Sequence, residues 1–283
     1  MLSPKFAVLA VPLLALALAG QPGHCQGPSD LLVTPTRLVF EGSLRTADVV
    51  LMNTGEKPST YRMSLVQRRM TENGGIVAAD TALPGELFAT GLVRFSPAQI
   101  VLKPHESQVV RVQLRLPADL APGEYRSHLQ FGGVPDQVGE AADGSADDDK
   151  TVGVFLRPIY GVSIAVIIRR GKLDAELKLS DLKFTPATGD QLATVSLAMN
   201  RTGTCSTYGD LVASLKTADG KSQIVGRANG VGVYCPNTVR RATMRLLMPP
   251  GTVTAGGTLL VGYLKQDDKN AAPWDQQSIN LEQ

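Results

Sequence analysis

Histidine is scarce in this chain: His24, His105 and His128 are the only three in 283 residues, and they fall in the N-terminal segment, a turn and a strand-like run. Three scattered imidazoles supply neither metal-ligand spacing nor a catalytic triad. No Gly-x-Ser-x-Gly, phosphate-binding loop or paired-cysteine metal motif compensates for them. The residues therefore give no argument for an enzyme, a cofactor, a metal or a small-molecule substrate. His128, alone on a strand, reads as a surface or packed side chain before it reads as a base. An excess of either charge is also lacking, since 28 Lys and Arg against 26 Asp and Glu leave a formal balance of +2, so neither nucleic acid nor a charged membrane surface is an expected partner. Beyond the N-terminus no stretch is long and uncharged enough to span a membrane. A convincing 3.6-residue periodicity is missing throughout, which argues against helices.

The N-terminus has the anatomy of a secretory signal over residues 1–19. Lys5 is the charged start, residues 6–18 are a short apolar run, and Ala17-Leu18-Ala19 is a small-residue cleavage site before Gly20. The mature chain is expected to be exported, and cleavage removes only Lys5 among charged groups, lowering the balance from +2 to +1. Cys25 follows Pro22-Gly23-His24, a poor match to a lipid-attachment motif. In an oxidising compartment Cys205 and Cys235 are expected to pair, which leaves Cys25 over.

What the chain has in quantity is alternation. In Ser107–Leu116 the residues Val110, Val112, Leu114 and Leu116 share one face, with Arg111, Gln113 and Arg115 on the other. Period two marks a half-buried strand, and Arg45–Met52 and Tyr61–Val66 repeat it. Turn signals separate these runs at Glu41-Gly42, Asn53-Thr54-Gly55, Asn73-Gly74-Gly75, Lys103-Pro104 and Ala121-Pro122-Gly123. Short strands spaced by turns predict an all-β fold of antiparallel sandwiches, with an immunoglobulin-like topology leading. The length suits two domains of roughly 100–130 residues. The second half repeats the pattern at residues 175–184, 191–200, 211–217, 222–226, 239–248 and 258–265, with Asp219-Gly220 as a hairpin turn. We place the first domain at 28–170 and the second at 171–283.

Residues 134–150 carry six acidic residues and almost no apolar ones, as expected of a solvated loop. The run 151–170 that follows is apolar and β-branched. Its even positions Val152, Val154, Leu156, Tyr160, Val162, Ile164 and Val166 form one row, broken by Pro158. A proline in such a run belongs on an edge strand or at a bulge. The row either closes the first domain's core or is offered to a partner strand, and both can hold on different parts of one strand.

Several of these segments resemble the periplasmic chaperones of chaperone–usher pilus assembly, a family of two immunoglobulin-like domains set at an angle. Thr36-Arg37-Leu38-Val39-Phe40-Glu41-Gly42 is similar to the family's first-strand segment, whose arginine lies in the cleft between domains and anchors a pilus subunit's terminal carboxylate. Asn53, the Leu102-Lys103-Pro104 turn and the strand ending at Phe131 follow in the expected order. The resemblance implies that Arg37 is the anchor, that Val154, Leu156, Tyr160, Val162 and Ile164 supply the donated face, and that Arg169 supports the domain junction. The chain also departs from the pattern. Ala165 stands where the family has a lysine as second anchor, and Glu124–Phe131 replaces the usual acidic and asparagine signature. The implied function is a periplasmic chaperone for pilus or surface-fibre subunits, with an outer-membrane usher as a further partner that no residue here identifies. The rival is an exported β-sandwich that is a structural or adhesive part of a surface assembly.

Overall fold

The structure, a computed structural model, describes residues 30–135, 160–249, 252, 254–266 and 272–281. The expected signal segment, Cys25, residues 136–150 of the acidic loop, and Val154 and Leu156 lie outside the described residues.

All regular structure in the described residues is strand. The first domain runs through β1 (Leu31–Thr34), β2 (Arg37–Phe40), β3 (Thr46–Asn53), β4 (Ser59–Val66), β5 (Arg68–Met70), β6 (Ile76–Ala78), β7 (Val93–Ser96), β8 (Gln99–Leu102), β9 (Ser107–Leu114), β10 (Gly123–Val134) and β11 (Gly161–Arg170). They form two sheets, β1-β3-β9-β7 and β2-β11-β10-β4-β8, with β5 and β6 as a separate hairpin. Alternation decides which side chains face inward. Val110 and Val112 are buried while Arg111 between them is exposed. The inward rows of the two sheets interlock: Leu31, Val33, Val49, Leu51, Val110 and Val112 meet Leu38, Phe40, Met63, Leu129, Phe131 and Ile164 in one core. Each such fully buried aliphatic side chain contributes about 1.5–3 kcal/mol.

The chain changes sheets at Pro35, which has no N–H to give a ladder. Before it, β1 pairs antiparallel with β3; after it, β2 pairs parallel with β11. The second domain comprises β12 (Ala175–Thr185), β13 (Thr194–Gly203), β14 (Thr207–Lys216), β15 (Ser222–Val233), β16 (Val239–Arg245), β17 (Thr258–Lys265) and β18 (Asp275–Asn280). Its sheets are β12-β13-β16 and β15-β14-β17-β18, and its core contains Leu177, Val195, Met199, Leu211, Val233, Val261 and Tyr263. The β14–β15 turn needs Gly220, whose φ of +87° an L side chain rarely adopts. The two cores share no residue. The fold is two immunoglobulin-like β-sandwiches, the class that the alternation predicts.

Candidate partner-binding cleft

The long antiparallel pair β10–β11 organises the site. Tyr125, Leu129 and Phe131 of β10, and Ile164, Val166 and Ile168 of β11, point into the first core. Their neighbours Glu124, Arg126, His128, Ala165, Ile167 and Arg169 therefore point the other way, and the second domain docks on that face.

Glu124 and Arg169 stand opposite one another across β10 and β11. Arg169 Nε donates to Glu124 Oε2 at 3.1 Å, Nη1 to Glu41 Oε2 at 3.2 Å and Nη2 to the Ser206 carbonyl of the second domain at 3.1 Å. Glu124 also accepts from the Ser206 N–H at 3.0 Å and from the Ser206 hydroxyl. Burial is the largest influence on the Arg169 pKa and works to lower it, but Glu124, Cys205 and Glu41 together outweigh it and the net shift is upward. Arg169 thus binds both domains. Glu124, which heads the segment that departs from the family signature, is its carboxylate partner.

A second brace lies on the β5–β6 hairpin. The Asn237 side chain donates to the Met70 carbonyl at 2.9 Å and the Arg241 N–H to the Glu72 carbonyl at 2.6 Å. Here the edge strand β16 gives one of its unused N–H groups to the first domain.

Arg37 opens β2 directly opposite Ala165, and Ala165 is opposite His128, so the three form one cross-strand row. Arg37 Cζ sits 3.5 Å from the ring centroid of Tyr208 on β14, which puts this arginine at the junction. His128 is buried, and its pKa is pushed down to about 4, first by burial and then by Arg126 and Arg68; it is a neutral, packed group.

The edge of β11 is covered only in part. β2 pairs it from Ala165 to Ile168; from Gly161 to Ile164 no strand pairs on that side among the described residues. Exposure follows the gap. Tyr160, Gly161 and Ser163 are exposed and Val162 half-buried, whereas Ile164 to Ile168 are all buried. This corrects the expectation that Tyr160, Val162 and Ile164 act alike. Ile164 is only 2% exposed and closes the first core, because the alternating row dives beneath the β2 side of the sheet there. Val162 packs partly against the same core and Tyr160 stands free of it.

The expected Cys205–Cys235 disulfide is not shown: the structure carries both as free thiols. Cys235 Sγ is directed at the Thr204 carbonyl, 3.8 Å away, and not at the Cys205 sulfur. Burial raises the pKa of both thiols. They are nevertheless close: Cys235 Sγ lies 3.8 Å from the carbonyl oxygen of Thr204, the residue before Cys205, just beyond the end of the β14–β15 ladder at Thr207–Val233.

Sequence reasoning missed Arg126. It is only 4% exposed, with Nη2 donating to the Cys235 carbonyl at 3.2 Å and Cζ 4.8 Å from the Tyr234 ring centroid. A lone arginine in a strand carries no local signal of burial; the two-residue offset from His128 was the only available clue. Among the described residues no group of three or more His, Cys, Asp or Glu side chains could hold a metal ion.

No protein-family model matches the sequence, and no curated protein matches it either. Among solved structures, the YadV chaperone is 12% identical over 89% of this chain and 100% of its own, with a TM-score of 0.43. The CupB2 chaperone of Pseudomonas aeruginosa is 14% identical over 88% of this chain and 100% of its own, TM-score 0.42. The Salmonella enterica SafA pilin complex with the SafB chaperone matches at 13% identity over 89% of this chain and 97% of the matched chain, TM-score 0.40.

Proposed function

We propose that this protein is a periplasmic chaperone that captures pilus or surface-fibre subunits by adding its β11 edge to the subunit's incomplete sandwich. The observation that carries the reading is where the uncovered edge stops. Among the described residues its outer edge is unpaired from Gly161 to Ile164 and meets β2 at the Arg37–Ala165 pair. A partner strand lying parallel to β11 in this gap runs towards the cleft, so its carboxyl end arrives at Arg37. An antiparallel strand would bring an amino terminus to the same cation. Charge selects the parallel arrangement, in which a guanidinium meets a carboxylate in a fork geometry. Main-chain hydrogen bonds along the gap give affinity, and Tyr160 and Val162 add side-chain contact. Binding of this kind uses no nucleotide and no bond chemistry. The same reading takes the protein to be exported, with Cys205 and Cys235 able to join under oxidising conditions.

The test is capture of a cognate subunit by purified variants. Arg37→Ala is expected to weaken capture by about 2–5 kcal/mol while the free protein stays folded. Val162→Asp should weaken capture far more than Ser163→Asp, because Val162 shares the inward face and Ser163 does not. Wild-type capture by Arg37→Ala, or fractionation of the protein with assembled fibres in place of free subunits, would overturn the reading in favour of a structural component.

A further inference from the structure

The Arg37 guanidinium lies on a side chain of the other domain. Its Cζ is 3.5 Å from the centroid of the Tyr208 ring, the contact distance of two carbon groups. A guanidinium meeting the ring edge-on would hold an N–H between them and keep Cζ farther out, so the two groups lie face to face. The donors of a guanidinium lie in its own plane and therefore run along the ring surface, not into it. Stacking thus fixes the plane of the fork without drawing on its N–H groups.

The ring itself is firmly seated. Tyr208 on β14 stands opposite Gly232 on β15. A Cβ on Gly232 would meet Tyr208 Cδ2 at 3.2 Å, and one on Gly230 would meet the Tyr208 hydroxyl oxygen at 2.7 Å. The ring occupies space that a side chain at either position would take. The Tyr208 carbonyl accepts from Trp274 Nε1 at 3.2 Å. Trp274 stacks on Tyr263, which is wholly buried in the second core and donates its hydroxyl at 2.6 Å to the carbonyl of Val231, the residue between the two glycines. An arginine on a flexible stem gives up rotamer freedom when it meets a ligand, and a rigid support removes that cost beforehand. We infer that Tyr208 is the positioning residue of the Arg37 anchor: it holds the guanidinium in the plane in which a partner's terminal carboxylate is received, so that the second domain contributes to capture through this ring. The inference rests on the proposed capture mode.

N-acetylglycine, which carries the carboxylate of a chain terminus, and N-acetylglycinamide, which does not, are titrated into isotope-labelled full chain while the Arg37 side-chain resonances, assigned by their loss in Arg37→Lys, are followed. The Nε–Hε resonance reports the carboxylate, and the Hδ resonances report the ring, because protons over an aromatic face are shifted upfield. The acid should shift Nε–Hε saturably and the amide should not, with Hδ staying upfield at saturation. A return of Hδ to the range of an unstacked arginine would show that the carboxylate pulls Arg37 off the ring, and that overturns the inference. Tyr208→Leu, which keeps apolar bulk but has no π face, should abolish the upfield shift and weaken acid binding at least about threefold, whereas Tyr208→Phe should keep both. A smaller loss in Tyr208→Leu overturns the inference and leaves the capture mode standing. No response to the acid in the wild type, or an equal response to the amide, overturns both. If Tyr208→Leu fails to fold, the wild-type Hδ positions at saturation decide.

Discussion

The junction makes a quantitative prediction at Arg169. Replacing it with Met removes three donors while keeping an unbranched stem, and it leaves Glu124 with only the Ser206 N–H and hydroxyl. The Glu124 side chain is 1% exposed and that of Arg169 23%. Breaking a fully buried pair from one side costs about 3–5 kcal/mol. Because some water reaches Arg169 and Ser206 still serves Glu124, we take the lower end, about 3 kcal/mol. The contact with Glu41, whose side chain is 62% exposed, adds at most about 0.5 kcal/mol. On a two-domain chain a loss of about 3 kcal/mol lowers the melting temperature by roughly 6–12 °C. Urea denaturation of Arg169→Met, Glu124→Gln and the double variant measures the pair directly, with an expected coupling of at least about 1.5 kcal/mol. Because the pair bridges the domains, the single variants should also separate the two domains' unfolding transitions. A loss below about 1 kcal/mol, or costs that add within about 0.5 kcal/mol, would refute the reasoning.

Two further outcomes are expected. His128 is neutral when folded, with a pKa of about 4 against 6.5 when free, so the unfolded chain takes up a proton that the folded chain refuses as pH falls from about 6.5 to about 4. Stability should decline by about 3 kcal/mol across that window and be flat in this component above it; His128→Gln should lose that slope in denaturation at graded pH. Oxidation with a glutathione disulfide buffer should join Cys205 to Cys235 and raise stability by about 3–4 kcal/mol, as for a closed loop of about thirty residues. Non-reducing peptide mapping that recovers both thiols, or a bond to Cys25, would count against it.

The strands that sequence reading located are those with one wet and one dry face. Ser107–Leu116, Tyr61–Val66 and Thr258–Lys265 announce themselves because burial alternates with the backbone. Strand β18, Asp-Gln-Gln-Ser-Ile-Asn, went unread because it is an edge strand exposed at most positions and carries no alternation to detect. Hairpin β5–β6 escaped because each strand is three residues long and β6 is exposed throughout, leaving no alternation to read. Ile164 was assigned with Tyr160 and Val162 because they share a face. Which part of that face is covered depends on where β2 begins, and that follows from the break at Pro35, some 130 residues away in sequence. Arg37 was reached through a segment resemblance, whereas Arg126 needed the register.

The junction and the uncovered edge are mechanically one device. On the proposed capture mode, a carboxylate is gripped only if Arg37 is held at the end of the gap. Its side chain leaves the first domain to lie on Tyr208 of the second, so any change in the angle between domains moves the anchor relative to the ladder it serves. Two separate braces oppose such a change: Arg169 with Glu124 and Ser206, and the β5–β6 hairpin with Asn237 and Arg241. Two attachments resist hinge motion better than one, so cutting either should loosen the cleft without unfolding a domain. The variant that tests this is Asn237→Ala, far from the β11 edge. It should raise the dissociation rate of a captured subunit while leaving the main-chain ladder intact, and an unchanged rate would show that the Arg169 brace alone fixes the anchor.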